Sequence, residues 1–321
     1  MSAGGVFMTP LMITISAQWF PKNERNMATG FCSAVAMLGS AATYIVGPIV
    51  VSSSPGEPPE PRAIRDRIMR LLYVCFGISV FVTVLVLAAF PKHIKPVSYP
   101  SKLSMASHRS AKLMHSLTVL VKNSEVWYLV LAFALSNTMS APWSALLPST
   151  FSKLHVPPEL SAECGLFLII HNFALSLTIS TFADRAPGYS KELALISRLV
   201  SLVFLFWLML MMNFHAKLTT TTLVCVILMA FPYCWCNQSL LYEMGAELMV
   251  PLPESFVAGY MTLLNNLFVD CTYVVLYLFP HFGDYWLHIG VFVFSVLSII
   301  FLLLTTGWSK KDTAKTKHGH V

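Results

Sequence analysis

Asp270 and His171 each stand inside a run of apolar residues long enough to cross a bilayer. An ionisable group at that depth is unfavourable, by about 2.5–3.5 kcal/mol for a central Asp on insertion scales, so such residues turn toward a cavity or a partner rather than lipid. The chemistry open to them is proton exchange. Protonation makes an aspartate neutral and removes the cost of a buried charge, and an imidazole with an unperturbed pKa of about 6.5 switches near the pH of an acidic compartment. Apart from Cys and Tyr, these are the only two ionisable residues the sequence puts near midplane depth, which makes them the candidates for proton coupling. Each has a plainer reading: Asp270 as the structural partner of another helix, His171 as a packed, satisfied ring.

Around Asp270 the spacing is informative. Asn266, Asp270, Tyr273 and Tyr277 recur at steps of four, three and four, with Gly259 and Thr262 extending the line, so all fall on one helical face. That face is expected to look into a cavity, with Asn266, Tyr273 and Tyr277 as solute contacts. A second cluster, Trp235, Asn237 and Gln238 beside Tyr233, offers aromatic faces and amides on which a neutral or cationic ring could stack. Trp143 lies next to Pro142 in a run that also holds Ser136 and Asn137, and the Pro removes a backbone hydrogen bond and permits a bend. Glu243 and Glu247, four apart near one end of their run, repel each other and call for a cationic partner. In all these aromatic clusters the competing reading is ordinary packing.

The elements that must hold these groups are membrane helices. The chain is 56% hydrophobic and 11% charged with a mean hydropathy of +0.67, against about a quarter charged in soluble domains. A bilayer core needs about 20 apolar residues per helix. Such runs lie near Ala3–Phe20, Met27–Val51, Met69–Phe90, Val126–Leu147, Ala162–Phe182, Leu193–Phe214, Thr219–Tyr242, Phe256–Phe279 and Tyr285–Thr306. The short alternating segments of a membrane β-barrel are absent from the pattern, so the fold class is all-α: a polytopic helical bundle of about nine spans. The first run lacks the basic n-region and A-x-A-like site of a signal peptide and reads as a short span.

Loop charge orients the bundle. Pro91–Ser124 carries Lys92, Lys95, Lys102, Arg109, Lys112 and Lys122 with no acid, and is assigned to the cytoplasm; the Lys22–Arg25 and Arg185–Lys191 turns and the basic tail fall on the same side. Ser52–Arg67, with Arg62, Arg65 and Arg67, conflicts mildly with this scheme. The expected organisation is three helices in 1–90, a basic linker over 91–125, six helices in 126–306 and a tail over 307–321. The net charge of +6 resides mostly in these inner loops and asks for no nucleic-acid partner.

The seven cysteines lie in or at the edges of spans, where a thiol behaves as a small hydrophobe. Cys234-Trp235-Cys236 has the wrong spacing for zinc, so no metal and no cofactor are expected. Gly-x-Ser-x-Gly, His-Glu-x-x-His and P-loop patterns do not occur, and no enzyme is expected.

Two blocks carry a family resemblance. Ala17-Gln18-Trp19-Phe20-Pro21-Lys22-Asn23-Glu24-Arg25, followed by Ala28-Thr29, Leu38-Gly39 and Gly47-Pro48, resembles the fourth-to-fifth helix region of the major facilitator superfamily, and of its solute carrier 49 branch in particular. Tyr242-Glu243-Met244-Gly245-Ala246-Glu247 with Pro251, Pro253 and Glu254 is similar to the stretch before that branch's eleventh helix, and Asp184-Arg185 sits where the superfamily repeats its Asp-Arg loop motif. The resemblance covers essentially the whole chain but only helices four to twelve of the usual twelve, which implies an N-terminally truncated isoform or an incomplete gene model. It implies a transporter of a small organic solute that works with protons in a lipid bilayer. Arg25, Asp184, Arg185, Glu243 and Glu247 would then form the inter-helix charge clamps that hold one access state closed.

Within the branch, the first block looks most like the disrupted-in-renal-carcinoma subgroup, which implies proton-linked pyridoxine export from the lysosome, the plasma membrane being the alternative location. Met37 stands where the choline-transporting members carry a Gln in the fifth helix, and Asn266 matches their second Gln, so Met37 joins the solute-contact set and choline is disfavoured. Two rival functions remain: choline or heme transport, and a non-transporting remnant that pairs with a full-length homologue and regulates it.

Overall fold

The computed structural model describes residues 3–51, 61–89, 113–186, 188–213, 219–250, 252–284 and 286–306. Among the described residues there is no strand. The helices are α1 (Ala3–Trp19), α2 (Arg25–Val51), α3 (Pro61–Ala89), α4 (Leu113–Lys122), α5 (Ser124–Thr138), α6 (Ser140–Ala145), α7 (Leu147–Lys153), α8 (Pro158–Arg185), α9 (Ser190–Asn213), α10 (Thr220–Trp235), α11 (Gln238–Leu248), α12 (Glu254–Leu278) and α13 (Trp286–Leu304). Two 3-10 turns, Lys22–Glu24 and Pro280–Asp284, link α1 to α2 and α12 to α13.

Seven helices among the described residues are long and apolar enough to cross a membrane, with α10 and α11 together forming one of them. The pair His115–Lys122 and Ser124–Ala145, bent by 79°, makes an eighth if it is one span. The remaining expected span, α1, has 17 residues and is about 26 Å long, less than the hydrocarbon thickness. Two boundaries move. α3 starts at Pro61 rather than Met69, so Arg62, Arg65 and Arg67 are helical, not loop. The last part of the expected linker is also helix, α4, ahead of an Asn123 cap whose side chain accepts from the Glu125 amide at 3.0 Å. The rest of the linker, from 90 to 112, and the tail lie outside the described residues.

Proline divides two spans. Pro142 has no N–H to give the Thr138 carbonyl, and the α5–α6 break falls between them at Met139. Pro232 likewise leaves the Leu228 carbonyl without its intrahelical donor, and α10 ends three residues later at Trp235. The resulting side-chain geometry at these two breaks shapes one wall of the interior.

α2 packs along α8 and α1 along α12, which joins the first three helices to the rest; α3 packs on α2. The α2–α8 seam depends on small residues. A Cβ on Gly30 would lie 2.8 Å from the Ser180 Cβ, and Ser180 and Ser239 hydroxyls meet at 2.9 Å, so three helices close to backbone distance there. Two apolar cores fill the bundle. One holds Leu120, Val126, Phe133, Met261 and Leu302 toward the end that carries the linker; the other holds Trp143, Phe151, Leu205, Phe231 and Val291 toward the opposite end.

Candidate functional site

At the linker end, the helix termini of both groups converge on charged side chains. The Arg25 guanidinium sits 3.1 Å from a Glu254 carboxylate oxygen, with side chains only 10% and 14% exposed. The same guanidinium donates from Nη2 to the Ala17 carbonyl at 3.0 Å, so a cation closes the C-terminus of α1 while pairing with the N-terminus of α12. Asp184, at the end of α8, accepts from the Asn26 amide (3.1 Å), the Asn26 side chain (2.9 Å) and the Met27 amide (2.7 Å). It acts as an N-terminal cap for α2 supplied by another helix. Thr29 Oγ1 donates to Glu243 at 3.1 Å.

The expected gate set is therefore brought together with different partners. Arg25 pairs with Glu254, a residue of the second motif block outside the expected set, and Glu243 accepts from Thr29 while the Arg25 charge acts on it from further off. Arg185 points to the exposed surface, where Asp184 turns inward; Glu247 is half-buried on α11.

Between α1–α2 and the rest lies a cavity of about 430 Å³, of the size that takes small organic solutes. Its polar lining is all uncharged: amides of Asn137, Gln238, Asn265 and Asn266, and hydroxyls including Ser144 and Thr262, beside the rings of Tyr44, Trp235 and Tyr242. Asn137 donates to Asn265 at 3.0 Å, which orients both amides. Met37 and Trp235 line it as well; Trp235 is fixed by its Nε1–H donating to Ser140 Oγ at 3.0 Å. A second cavity of about 840 Å³ lies toward the opposite end, lined among others by His155, Val156 and Ser161, and Tyr44 borders both. The Tyr44 ring rests on Gly165, where an added Cβ would lie 2.6 Å from Tyr44 Cδ1.

Several expected contacts stand elsewhere. Of the line on α12, Thr262 and Asn266 line the cavity, but Asp270, Tyr273 and Tyr277 are exposed, Tyr277 at 84%. Among the described residues α1 packs on α12 around Gly259, against Pro10, and the exposed residues lie about three to five turns further along α12. Trp143 is 0% exposed, stacked on Phe231 at 4.5 Å and donating to His288 Nδ1 at 2.8 Å: a core residue, not a cavity residue. Asn237 is buried behind the wall.

His171 takes over the carbonyl that Pro232 orphans. Its Nδ1 lies 2.8 Å from the Leu228 oxygen, and because a carbonyl only accepts, Nδ1 carries the hydrogen and Nε2 is left to take up a proton. The ring is half-buried, edge-on to Tyr233, and does not line the cavity.

One ionisable residue escaped the sequence reading. Arg198 lies nine residues into α9, with its side chain 1% exposed, so Asp270 and His171 are not alone at depth. Its guanidinium meets the Ala132 carbonyl (2.9 Å), Ser136 Oγ (3.2 Å), Asn237 Oδ1 (3.3 Å) and Ser298 Oγ. Its signal in the sequence is a single Arg within the apolar run Leu193–Phe214. All seven cysteines are free, and among the described residues no cluster of His, Cys, Asp or Glu could hold a metal ion.

An apolar helical bundle with two proline-broken spans, an uncharged central cavity and charged clasps at one end defines a multi-pass integral membrane protein. The sequence model of the Major Facilitator Superfamily matches residues 1–269, and the chain belongs to that family of membrane transporters. It is similar to the solute carrier family 49 member 4 homolog of Xenopus tropicalis, at 30% identity over 83% of this chain and 59% of the relative. It is also similar to solute carrier family 49 member A3 of Danio rerio (24% identity, 76% and 48%) and to the choline/ethanolamine transporter FLVCR2 of Homo sapiens (26%, 63% and 38%). The chain thus spans 59% or less of the length of these relatives.

Proposed function

We propose that this chain carries a small, neutral, ring-bearing solute across a membrane in exchange for or together with protons, with pyridoxine as the solute that the family resemblance suggests. The observation behind this reading is the cavity itself: aromatic rings give faces to stack on, amides and hydroxyls give hydrogen-bond partners, and the polar lining is uncharged. The clasps at the linker end and the larger cavity at the other end support a cycle of alternating access between the two sides. Asp270 is the proton carrier in this reading, since its protonated form is neutral, and His171 with its available Nε2 is the reserve.

The test is uptake of radiolabelled pyridoxine into proteoliposomes holding the 321-residue chain, with and without an imposed pH gradient. Gradient-dependent uptake is expected, and Asp270→Asn should keep pyridoxine binding while removing the gradient dependence. An unchanged pH dependence makes Asp270 structural and moves the test to His171→Gln. Absence of uptake with any probe refutes transport by this chain and leaves the regulatory-partner reading.

Choline or ethanolamine transport is the second reading, favoured by the three rings that could hold a cation by cation–π contact and by the name of the human relative. Competition separates them: an excess of choline leaves pyridoxine uptake unchanged in the first reading and abolishes it in the second. For location we propose the lysosomal membrane, following the resemblance of the first helix block; a tagged chain at the plasma membrane without a lysosomal marker would overturn it.

A further inference from the structure

The two broken spans supply much of the cavity wall: Asn137, Ala141 and Ser144 around the α5–α6 break, Trp235 and Gln238 around the α10–α11 break. A proline explains why each helix stops, but not why the two stumps stay in register with one another. Two bonds join them directly, Trp235 Nε1–H to Ser140 Oγ at 3.0 Å and Cys234 Sγ to the Ser136 carbonyl at 3.6 Å, and Arg198 ties both breaks to a third helix. Its Nη2 donates to Ser136 Oγ, one turn before the first break, and to Asn237 Oδ1, at the second. Asn237 returns a hydrogen bond from Nδ2 to Ser197 Oγ at 3.0 Å, the neighbour of Arg198 on α9. Nη1 meets the Ala132 carbonyl and Ser298 Oγ, which adds α13 as a footing.

Among the described residues no acid bonds this guanidinium: every acceptor is a carbonyl, a hydroxyl or an amide oxygen. A cation buried without a counter-charge is poorly stabilised and needs its fixed dipoles in place. One donor, Nε, finds no partner. An apolar residue of similar volume would be easier to bury, so the guanidinium's distinctive contribution is its planar fork, which bonds in several directions at once where a lysine ammonium is a point donor.

We infer that Arg198 is a positioning residue for the solute site: a fork that holds the two broken spans in register and so fixes Trp235, Gln238 and Asn137 against the solute. The clamp deepens the transport reading and rests on it for its substrate readout. A second readout is independent of transport. Cys234, in the last turn of α10, and Cys236, in the break itself, are only 3% and 0% exposed, so they report release of the break through their reaction with N-ethylmaleimide.

The experiment compares wild type, Arg198→Met, Arg198→Lys and Asn237→Ala in proteoliposomes. Both thiols are followed by mass spectrometry and pyridoxine by half-saturation against maximal rate. Release of the clamp predicts at least a tenfold faster modification of Cys234 or Cys236 in Arg198→Met and Asn237→Ala, a smaller rise in Arg198→Lys, and a raised half-saturation concentration with a largely retained maximal rate. Should Arg198→Met fail to fold, Asn237→Ala tests the same fork from its other end. Folded variants with wild-type thiol reactivity overturn the clamp. So do variants in which only the maximal rate falls. If no variant and no wild type binds pyridoxine, the transport reading fails while the thiol rates still decide the clamp.

Discussion

Removing the Asp184 carboxylate should open the linker end. Asp184→Ala deletes three acceptor contacts at 3.1, 2.9 and 2.7 Å, two of them to backbone amides in the first turn of α2. Loss of an N-cap is worth about 0.5–2 kcal/mol, and loss of a negative charge at a helix N-terminus about 0.3–1 kcal/mol. Hydrogen bonds to a charged acceptor run to about 1.5–3 kcal/mol each, but Met27 is exposed and water replaces part of what is lost, so the three do not add. About 2 kcal/mol is a fair estimate, equivalent to a shift of about 30-fold in the balance between closed and open linker ends. A reporter cysteine at Ala34 reads this balance, because Ala34 is 1% exposed and lies about 13 Å along α2 from its first residue. Maleimide labelling of Ala34→Cys, read by mass spectrometry at that residue, should rise by about 30-fold when Asp184→Ala is added. Glu254→Gln, which breaks the Arg25 pair, should move the rate in the same direction. If the labelling rate of a folded Asp184→Ala chain stays at its starting value, the carboxylate is not a clasp and the reasoning from its hydrogen bonds is wrong.

Gly30→Ala should open the same seam, since its Cβ would press on Ser180 with a strain of about 1–3 kcal/mol, and a second change, Ser180→Gly, should restore the closed labelling rate. Trp143→Phe removes the donor to His288 Nδ1 and should lower stability by about 1–3 kcal/mol in thermal unfolding, while leaving the half-saturation for pyridoxine unchanged. Trp235→Ala should do the reverse, weakening pyridoxine binding about tenfold by loss of a stacking face, a loss of about 1.4 kcal/mol; equal binding by the two variants would remove Trp235 from the site.

The helices were readable because lipid imposes a single rule on every run: about 20 apolar residues, with the backbone bonded to itself. The site was less readable, because periodicity assigns a residue to a face of its helix and says nothing of what lies opposite. Asn266 and Asp270 share a face, yet Asn266 lines the cavity and Asp270 is exposed. Trp143 and Trp235 each lie near a proline in an apolar run, and only the fold separates the core ring from the wall ring. Arg198 and His171 were opaque for a further reason. Their partners are neutral groups, carbonyls above all, and a carbonyl left open by a proline on another helix has no signature at the residue that fills it.

α3 has a consequence of a different kind. Its 29 residues measure about 44 Å, against a hydrocarbon layer of about 30 Å, so some nine residues stand outside the apolar layer. Arg62, Arg65, Arg67 and Arg70 fall on or beside that surplus, and since successive helical residues turn by 100°, they surround the helix rather than line one side. Its apolar length, meanwhile, is exposed almost throughout and, among the described residues, packs mainly on α2. The arginine-bearing end therefore lies at the interface on the side opposite the linker, where its guanidinium groups reach water and headgroup phosphate while the apolar length stays in lipid.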